Sequence, residues 1–287
     1  MAEHVRPGFF AAPPERPGLA LFLNAGDPPL PVLPELIQML DESEVDCLEL
    51  AVPFPDSFTD GPVVRRSARR ALADGVDLRR TLDAVAKVHA GLEHLRIALL
   101  ADWSHTVKPC GLPDFLGLLG EVGTDALLVH GLPPRLRAEY YETAADRRVP
   151  VVTTCYPNSG EQTLRESARH ASAYLYLVAH YGRTGSAPPG GHAELAPLIG
   201  ALRAIAPVPI AVGFGVRGAR EIAGVRAAGA DAAIVGSAAV AVVERALADG
   251  TDIVGSLAGF VREIRSGHGG SGRAGAISSG SRKEGQG

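Results

Sequence analysis

The stretch CLELAVPFPDSFTDGP, residues 47–62, opens as an apolar run and closes in proline, aspartate and glycine. A short run with no polar alternation is how a strand buried on both faces of a parallel sheet reads. Its middle nevertheless holds a carboxylate, Glu49, between Leu48 and Leu50. Burying an ionised glutamate without a partner costs several kcal/mol. The acid therefore either escapes to solvent at a sheet edge, pairs with an arginine, or has a use where it stands.

Seven further runs share the character of this one: LALFLN (19–24), LRIALLA (95–101), DALLVH (125–130), VPVVTT (149–154), AYLYLV (173–178), VPIAVGF (208–214) and DAAIVG (231–236). Between them lie segments with apolar residues at helical spacing, such as LPELIQMLDES, LPDFLGLLGEV and GAREIAGVRAAG. Gly123 and Gly229 stand where such helices should stop before the next strand. Eight strand–helix units are the count of an α/β protein of the (β/α)8 TIM-barrel type, a single domain with its chemistry at the C-terminal ends of the strands. A doubly wound open sheet competes, because periodicity does not separate the two.

The chain has 287 residues, 46% hydrophobic and 21% charged, with a formal charge of −4. It is long enough to fold around its own core, and no basic face points to nucleic acid. Cys47, Cys110 and Cys155 are scattered, which fits neither a disulfide framework nor a zinc site and suits a reducing cytoplasm. No run approaches the roughly 18 apolar residues of a membrane span. Residues 1–17 are proline-rich and expected to lie over the surface or loose. Residues 18–265 form the barrel, and the Gly/Ser-rich 266–287 is expected to be a disordered tail.

A barrel has no sheet edge, so Glu49, late in the second strand, is expected to face the barrel mouth. An apolar setting there raises its pKa and lets it both give and take a proton near neutrality. Asp60, in the turn TDGP before a helix at VVRRSARRALADG, reads equally as plain turn chemistry. Asp56 is expected to be solvated. Glycines follow the last three strands in YGRTGS (181–186), GFGVRG (213–218) and GSAAV (236–240). Barrels commonly seat a phosphate between the loops after strands seven and eight, against a helix N-terminus. GFGVRG is not a dinucleotide fingerprint, since it follows the seventh strand and lacks the acidic residue about 20 positions on. His105, His130, His180 and His192 have no metal-ligand spacing. Neither a metal nor a cofactor is expected.

Taken together, NAGDP (24–28), LELAVPFPDSFTDGPVV with RALADGV, TG at 184–185, VGFGV (212–216) and IVGSA (234–238) resemble the motifs of the tryptophan synthase α subunit family. The correspondence runs from about Leu19 to Ala246 and is most specific around the second strand. The resemblance implies a lyase that splits indole-3-glycerol phosphate, by a retro-aldol reaction, into indole and glyceraldehyde 3-phosphate. It makes Glu49 the general acid/base and Asp60 the acid that binds the indole N–H. It places Phe22, Leu100 and Tyr176 around the indole, Asp102 near it, and Thr184 on a closing loop. It gives the phosphate to Gly185, Gly215, Gly236 and Ser237.

The sequence departs from the family at Ala51, Pro55, Ser57, Asp102, Ser104 and Gly131, the last in place of an aspartate. Several of these positions belong to surfaces through which the family's α subunit meets its pyridoxal-phosphate β subunit. The expectation is thus a lyase with altered or absent coupling to a β partner, whether standalone or paired with an unusual β. A weakly catalytic barrel that binds and activates a β subunit, and a lyase acting on a modified indole, are the alternatives.

Overall fold

The computed structural model describes residues 8–11, 16–179 and 192–266. Thr184 and Gly185, expected on the loop after the sixth strand, lie outside the described residues, as does the Gly/Ser-rich tail beyond Ser266.

All eight expected strands form: β1 (Gly18–Asn24), β2 (Cys47–Ala51), β3 (Arg96–Asp102), β4 (Ala126–His130), β5 (Val152–Cys155), β6 (Tyr174–Val178), β7 (Ile210–Gly213) and β8 (Ala232–Val235). Their order is β4-β3-β2-β1-β8-β7-β6-β5, and every ladder is parallel. A doubly wound sheet reverses direction at its first strand. Here the strands run in sequence around a ring, closed between β4 and β5 by one bridge, Leu127 with Val151. β5 starts later than the run VPVVTT suggests because Pro150 has no N–H to give to a ladder; its carbonyl accepts from Leu127 N at 2.8 Å instead.

Alternation along each strand separates two cores. Leu19, Leu21, Leu23, Leu48, Leu50, Leu175 and Leu177 point outward and pack beneath the helices, each fully buried leucine contributing about 1.5–3 kcal/mol. Inward-facing positions are strikingly different in size: Ala20, Ala98, Ala126, Ala211 and Ala232 leave room for the ring of Tyr174. Phe9 and Phe10 complete that inner layer, with ring centroids 5.3 and 5.1 Å from Tyr174. The expected surface course of the first seventeen residues therefore fails at Phe10, which is buried and acts as a plug in the barrel floor. Gly18 makes that possible, since a Cβ there would lie 2.8 Å from Phe10 Cδ1.

A repeated device fixes the strand starts. A side-chain oxygen just before each even-numbered strand accepts the backbone N–H at the start of a neighbouring odd one. Asp46 takes Leu19 N (2.8 Å), Asp125 takes Ile97 N (2.8 Å), Ser172 takes Val151 N (2.8 Å) and Asp231 takes Ile210 N (2.7 Å). On the opposite, C-terminal side, Arg70 bridges Asp27 and Glu244 and so ties the β1 loop to helices Pro62–Ala73 and Ser237–Asp249. Gly123 and Gly229 both end their helices at positive φ, +80° and +90°, as their positions require.

Candidate active site

Glu49 stands in register between Phe22 of β1 and Ala98 of β3, pointing into the barrel and only 2% exposed. Among the described residues no arginine pairs with it. Its partner is Tyr174, whose hydroxyl donates to Glu49 Oε1 at 2.6 Å. Burial raises the carboxyl pKa, the tyrosine hydrogen bond lowers it, and burial wins: the group sits at about 7. Glu49 is thus poised between acid and base at neutral pH.

Asp60 arrives from a different segment, the turn that precedes helix Pro62–Ala73. Arg65 steadies that turn by donating from Nε to Ser57 O at 2.7 Å. Burial pushes the Asp60 carboxyl above its ordinary value, against the hydroxyl of Ser57 and the positive charges of His130 and Arg65. Asp56, exposed at φ +57°, takes no part.

Glu49 and Asp60 line one cavity of about 360 Å³ at the C-terminal mouth of the barrel, inside the range of roughly 300–1,000 Å³ common for small-molecule sites. Phe22, Leu100 and Tyr176, all expected there, form its walls together with Phe214 and Ile234. Tyr176 fits only because residue 213 is glycine: a Cβ there would lie 2.5 Å from the phenol oxygen.

Gly215, Gly236 and Ser237 line the same cavity on the β7–β8 side. Phe214 and Gly215 both have positive φ, +76° and +74°, which turns the chain sharply after β7. Gly236 and Ser237 open helix Ser237–Asp249, whose free N–H groups and dipole suit an anion.

Asp102 behaves differently from its sequence reading. It is not among the cavity-lining residues. Its Oδ1 accepts from Ser104 N and His105 N, each at 2.9 Å, and lies 2.7 Å from His105 Nδ1, so the carboxylate caps the turn Trp103–Val107. Its other oxygen faces Gly131, where a Cβ would stand 3.3 Å away. The departures at 102 and 131 are therefore one linked change: an aspartate at 131 would set a second carboxylate against Asp102.

Sequence reasoning missed Tyr174, the hydrogen-bond partner of Glu49 among the described residues. The signal was present, since alternation in AYLYLV puts Tyr174 on the same inward face as Tyr176. His130 was weighed only as a metal ligand, yet it lines the cavity beside Asp60 and stacks on Phe54 at 5.7 Å. Cys155 is buried, its thiol pushed up to about 12, which leaves it inert.

A parallel eight-stranded barrel with two convergent acids at its mouth and a helix N-terminus opposite defines a phosphate-handling acid–base enzyme. The family model described as tryptophan synthase alpha chain matches residues 10–268. The chain is 34% identical over 253 residues to the tryptophan synthase alpha chain of Aromatoleum aromaticum, covering 87% of this chain and 90% of that one. It is 36% identical over 250 residues to that of Geobacter sulfurreducens, covering 87% and 92%. Among solved structures, a tryptophan synthase from Mycobacterium tuberculosis superimposes with TM-score 0.76 at 27% identity, covering 88% of this chain and 93% of that chain. A tryptophan synthase complex from Pyrococcus furiosus gives 0.75 at 26%, covering 86% and 97%. This chain belongs to the tryptophan synthase alpha chain family.

Proposed function

We propose that this chain cleaves indole-3-glycerol phosphate to indole and glyceraldehyde 3-phosphate, with Glu49 and Asp60 as its two catalytic residues. The supporting observation is that these acids come from separate segments and face one apolar cavity. Protonated Glu49 gives its proton to indole C3. The positive charge that appears on the ring nitrogen is held by Asp60, which accepts the N–H. The Glu49 carboxylate then removes the proton of the glycerol hydroxyl next to the ring. As that C–O bond becomes the aldehyde, the C–C bond breaks and its electrons restore the aromatic ring. One proton leaves Glu49 and one returns, so a single carboxyl with a pKa of about 7 serves both steps.

Phe22, Leu100 and Tyr176 sandwich the indole, and the backbone at Gly215, Gly236 and Ser237 receives the phosphate. The family resemblance further assigns Thr184 to the substrate and Gly185 to the phosphate, both outside the described residues. Asp102 acts through the mouth of the barrel by capping and not by touching the indole. The chemistry needs no metal or cofactor from this chain.

The partner is a tryptophan synthase β-type subunit, and a structural relative from Pyrococcus furiosus is solved as a tryptophan synthase complex. Phe58, 86% exposed on the loop between β2 and Asp60, is suited to a protein contact at the mouth. Pro55 and Gly131 alter that surface, while Ser57 lies buried behind it, and coupling is accordingly expected to differ in strength. Among the described residues no helix is long and apolar enough to cross a membrane, and we assign the chain to the cytoplasm.

Incubating the chain with indole-3-glycerol phosphate should release indole, more with a β subunit than without. Glu49→Gln, which can neither give nor take the proton, should abolish release. Indole formation by that variant at the wild-type rate would refute the assignment.

A further inference from the structure

The cavity does not stop at the barrel's inner wall. Along β5, Val152 and Thr154 face inward: Val152 belongs to the interior cluster and Thr154 lies in register with Tyr176. Thr153 faces the other way, its hydroxyl donating to Ser167 O at 2.7 Å in the overlying helix Glu161–His170. On β4, Leu128 faces inward and Val129 packs outward. All five of these strand residues, and Ser167 as well, line the one cavity. A cavity confined to a barrel interior touches one face of each strand. This one touches both faces of β4 and β5, so it passes through the wall between them.

The seam exists because the only described bridge between β4 and β5 is Leu127 with Val151, near the barrel floor. Toward the mouth no ladder holds the strands together, and Thr154, mid-strand, is exposed into the gap. The lobe so formed is rich in hydrogen-bonding groups. His130, Arg137, Thr154 and Tyr156 border it alongside apolar Val129 and Leu132.

Its position in the ring says what part of a substrate would enter. The strand order puts the loops after β7 and β8 across the barrel from β3 and β4. A substrate with its phosphate at Gly215, Gly236 and Ser237, lying over Glu49, directs the far edge of its indole toward β3–β5. The lobe opens at that edge.

We propose that the β4–β5 lobe is a specificity pocket for a hydroxyl substituent on the benzo ring of indole-3-glycerol phosphate. This rests on the reading of the chain as an indole-3-glycerol-phosphate lyase with its phosphate on the β7–β8 side. An apolar slot would favour the bare ring, whereas a lobe bordered by polar groups such as His130 and Thr154 rewards a hydroxyl that pairs with them.

The test compares kcat/KM for the parent substrate with that for each benzo-ring hydroxyl isomer. At least one isomer should match or exceed the parent. Val129→Phe, which fills the seam, should lower the isomer-to-parent ratio about tenfold or more, and the near-isosteric Thr154→Val should lower it several-fold. A wild-type enzyme that is tenfold poorer on every isomer, or a ratio unmoved in both variants, overturns the lobe. If no substrate releases indole, the lyase reading itself fails. Titration of the chain with indole and hydroxyindoles then decides the lobe separately: tighter hydroxyindole binding lost in Val129→Phe upholds it, and equal binding throughout overturns it.

Discussion

Tyr174 gives its hydroxyl hydrogen to Glu49 at 2.6 Å while two phenylalanine rings, Phe9 and Phe10, hold the phenol from below. The barrel floor thus sets the proton affinity of the group at the barrel mouth. The hydrogen bond favours the ionised carboxylate, so Tyr174→Phe should raise the Glu49 pKa above its value of about 7. A hydrogen bond to a charged group is worth about 1.5–3 kcal/mol, which corresponds to roughly one to two pH units. The pH–rate profile of indole release checks this. Its limb for Glu49 ionisation should move upward by at least about one unit, and a profile that stays in place would contradict the assigned role.

Glu49 also has a signature in folding. Its carboxyl binds a proton up to about pH 7 in the folded chain, against a reference value of 4.5. Between those values the folded state holds more protons than the unfolded one, so the site contributes stability at low pH that is lost as pH rises. Glu49→Gln removes that loss. Relative to wild type it should be more stable at pH 8, by roughly 3 kcal/mol at most, with the difference fading below about pH 4.5. Urea unfolding of the two proteins across this range measures it.

The strands and Glu49 were legible because their causes are local, whereas Asp60 read equally as turn chemistry and drew its role from the resemblance. A run buried on both faces has to be apolar throughout, and a glutamate breaking such a run announces itself. Other features depend on what the fold brings together. Nothing in PGFFAAPP says that Phe10 will plug a barrel whose inner layer is alanine at positions 20, 98, 126, 211 and 232. The resemblance put Asp102 near the indole, whereas its carboxylate is taken by three neighbouring donors. The seam between β4 and β5 follows from a pairing that stops at Leu127 and Val151, which only the register reveals.

Asp27 is 1% exposed and held by two Arg70 hydrogen bonds of 2.9 and 2.8 Å. Arg70 also meets Glu244, whose carboxyl its arginine neighbours hold down at about 2. Removing the arginine leaves a buried carboxylate without its cation, which costs about 3–5 kcal/mol. Arg70→Ala should therefore lower the urea midpoint sharply. Arg66→Ala, whose partner Glu244 keeps Arg70 and which is itself exposed, should leave the midpoint close to that of the wild type. Equal losses in the two variants would show that the Asp27 pairing is not what matters.

Gly213 and Tyr176 provide the last prediction. The glycine ends β7 beside the Tyr176 ring, and a Cβ placed there would lie 2.5 Å from the phenol oxygen and 2.9 Å from two ring carbons. The nearest atoms belong to a stiff aromatic side chain packed in the cavity wall, so the ring has to shift as a body. Gly213→Ala should destabilise the fold by about 1–3 kcal/mol through overpacking. Because Tyr176 borders the proposed indole site, the same shift should raise KM for indole-3-glycerol phosphate more than it lowers kcat. Glu49 and Tyr174 lie on other inward positions, so the pH profile should stay where it was. Replacing Tyr176 with leucine in the alanine background removes the clash and should recover most of the lost stability without recovering KM. Recovery of both would mean that Tyr176 only fills space, and recovery of neither would place the strain elsewhere in β7.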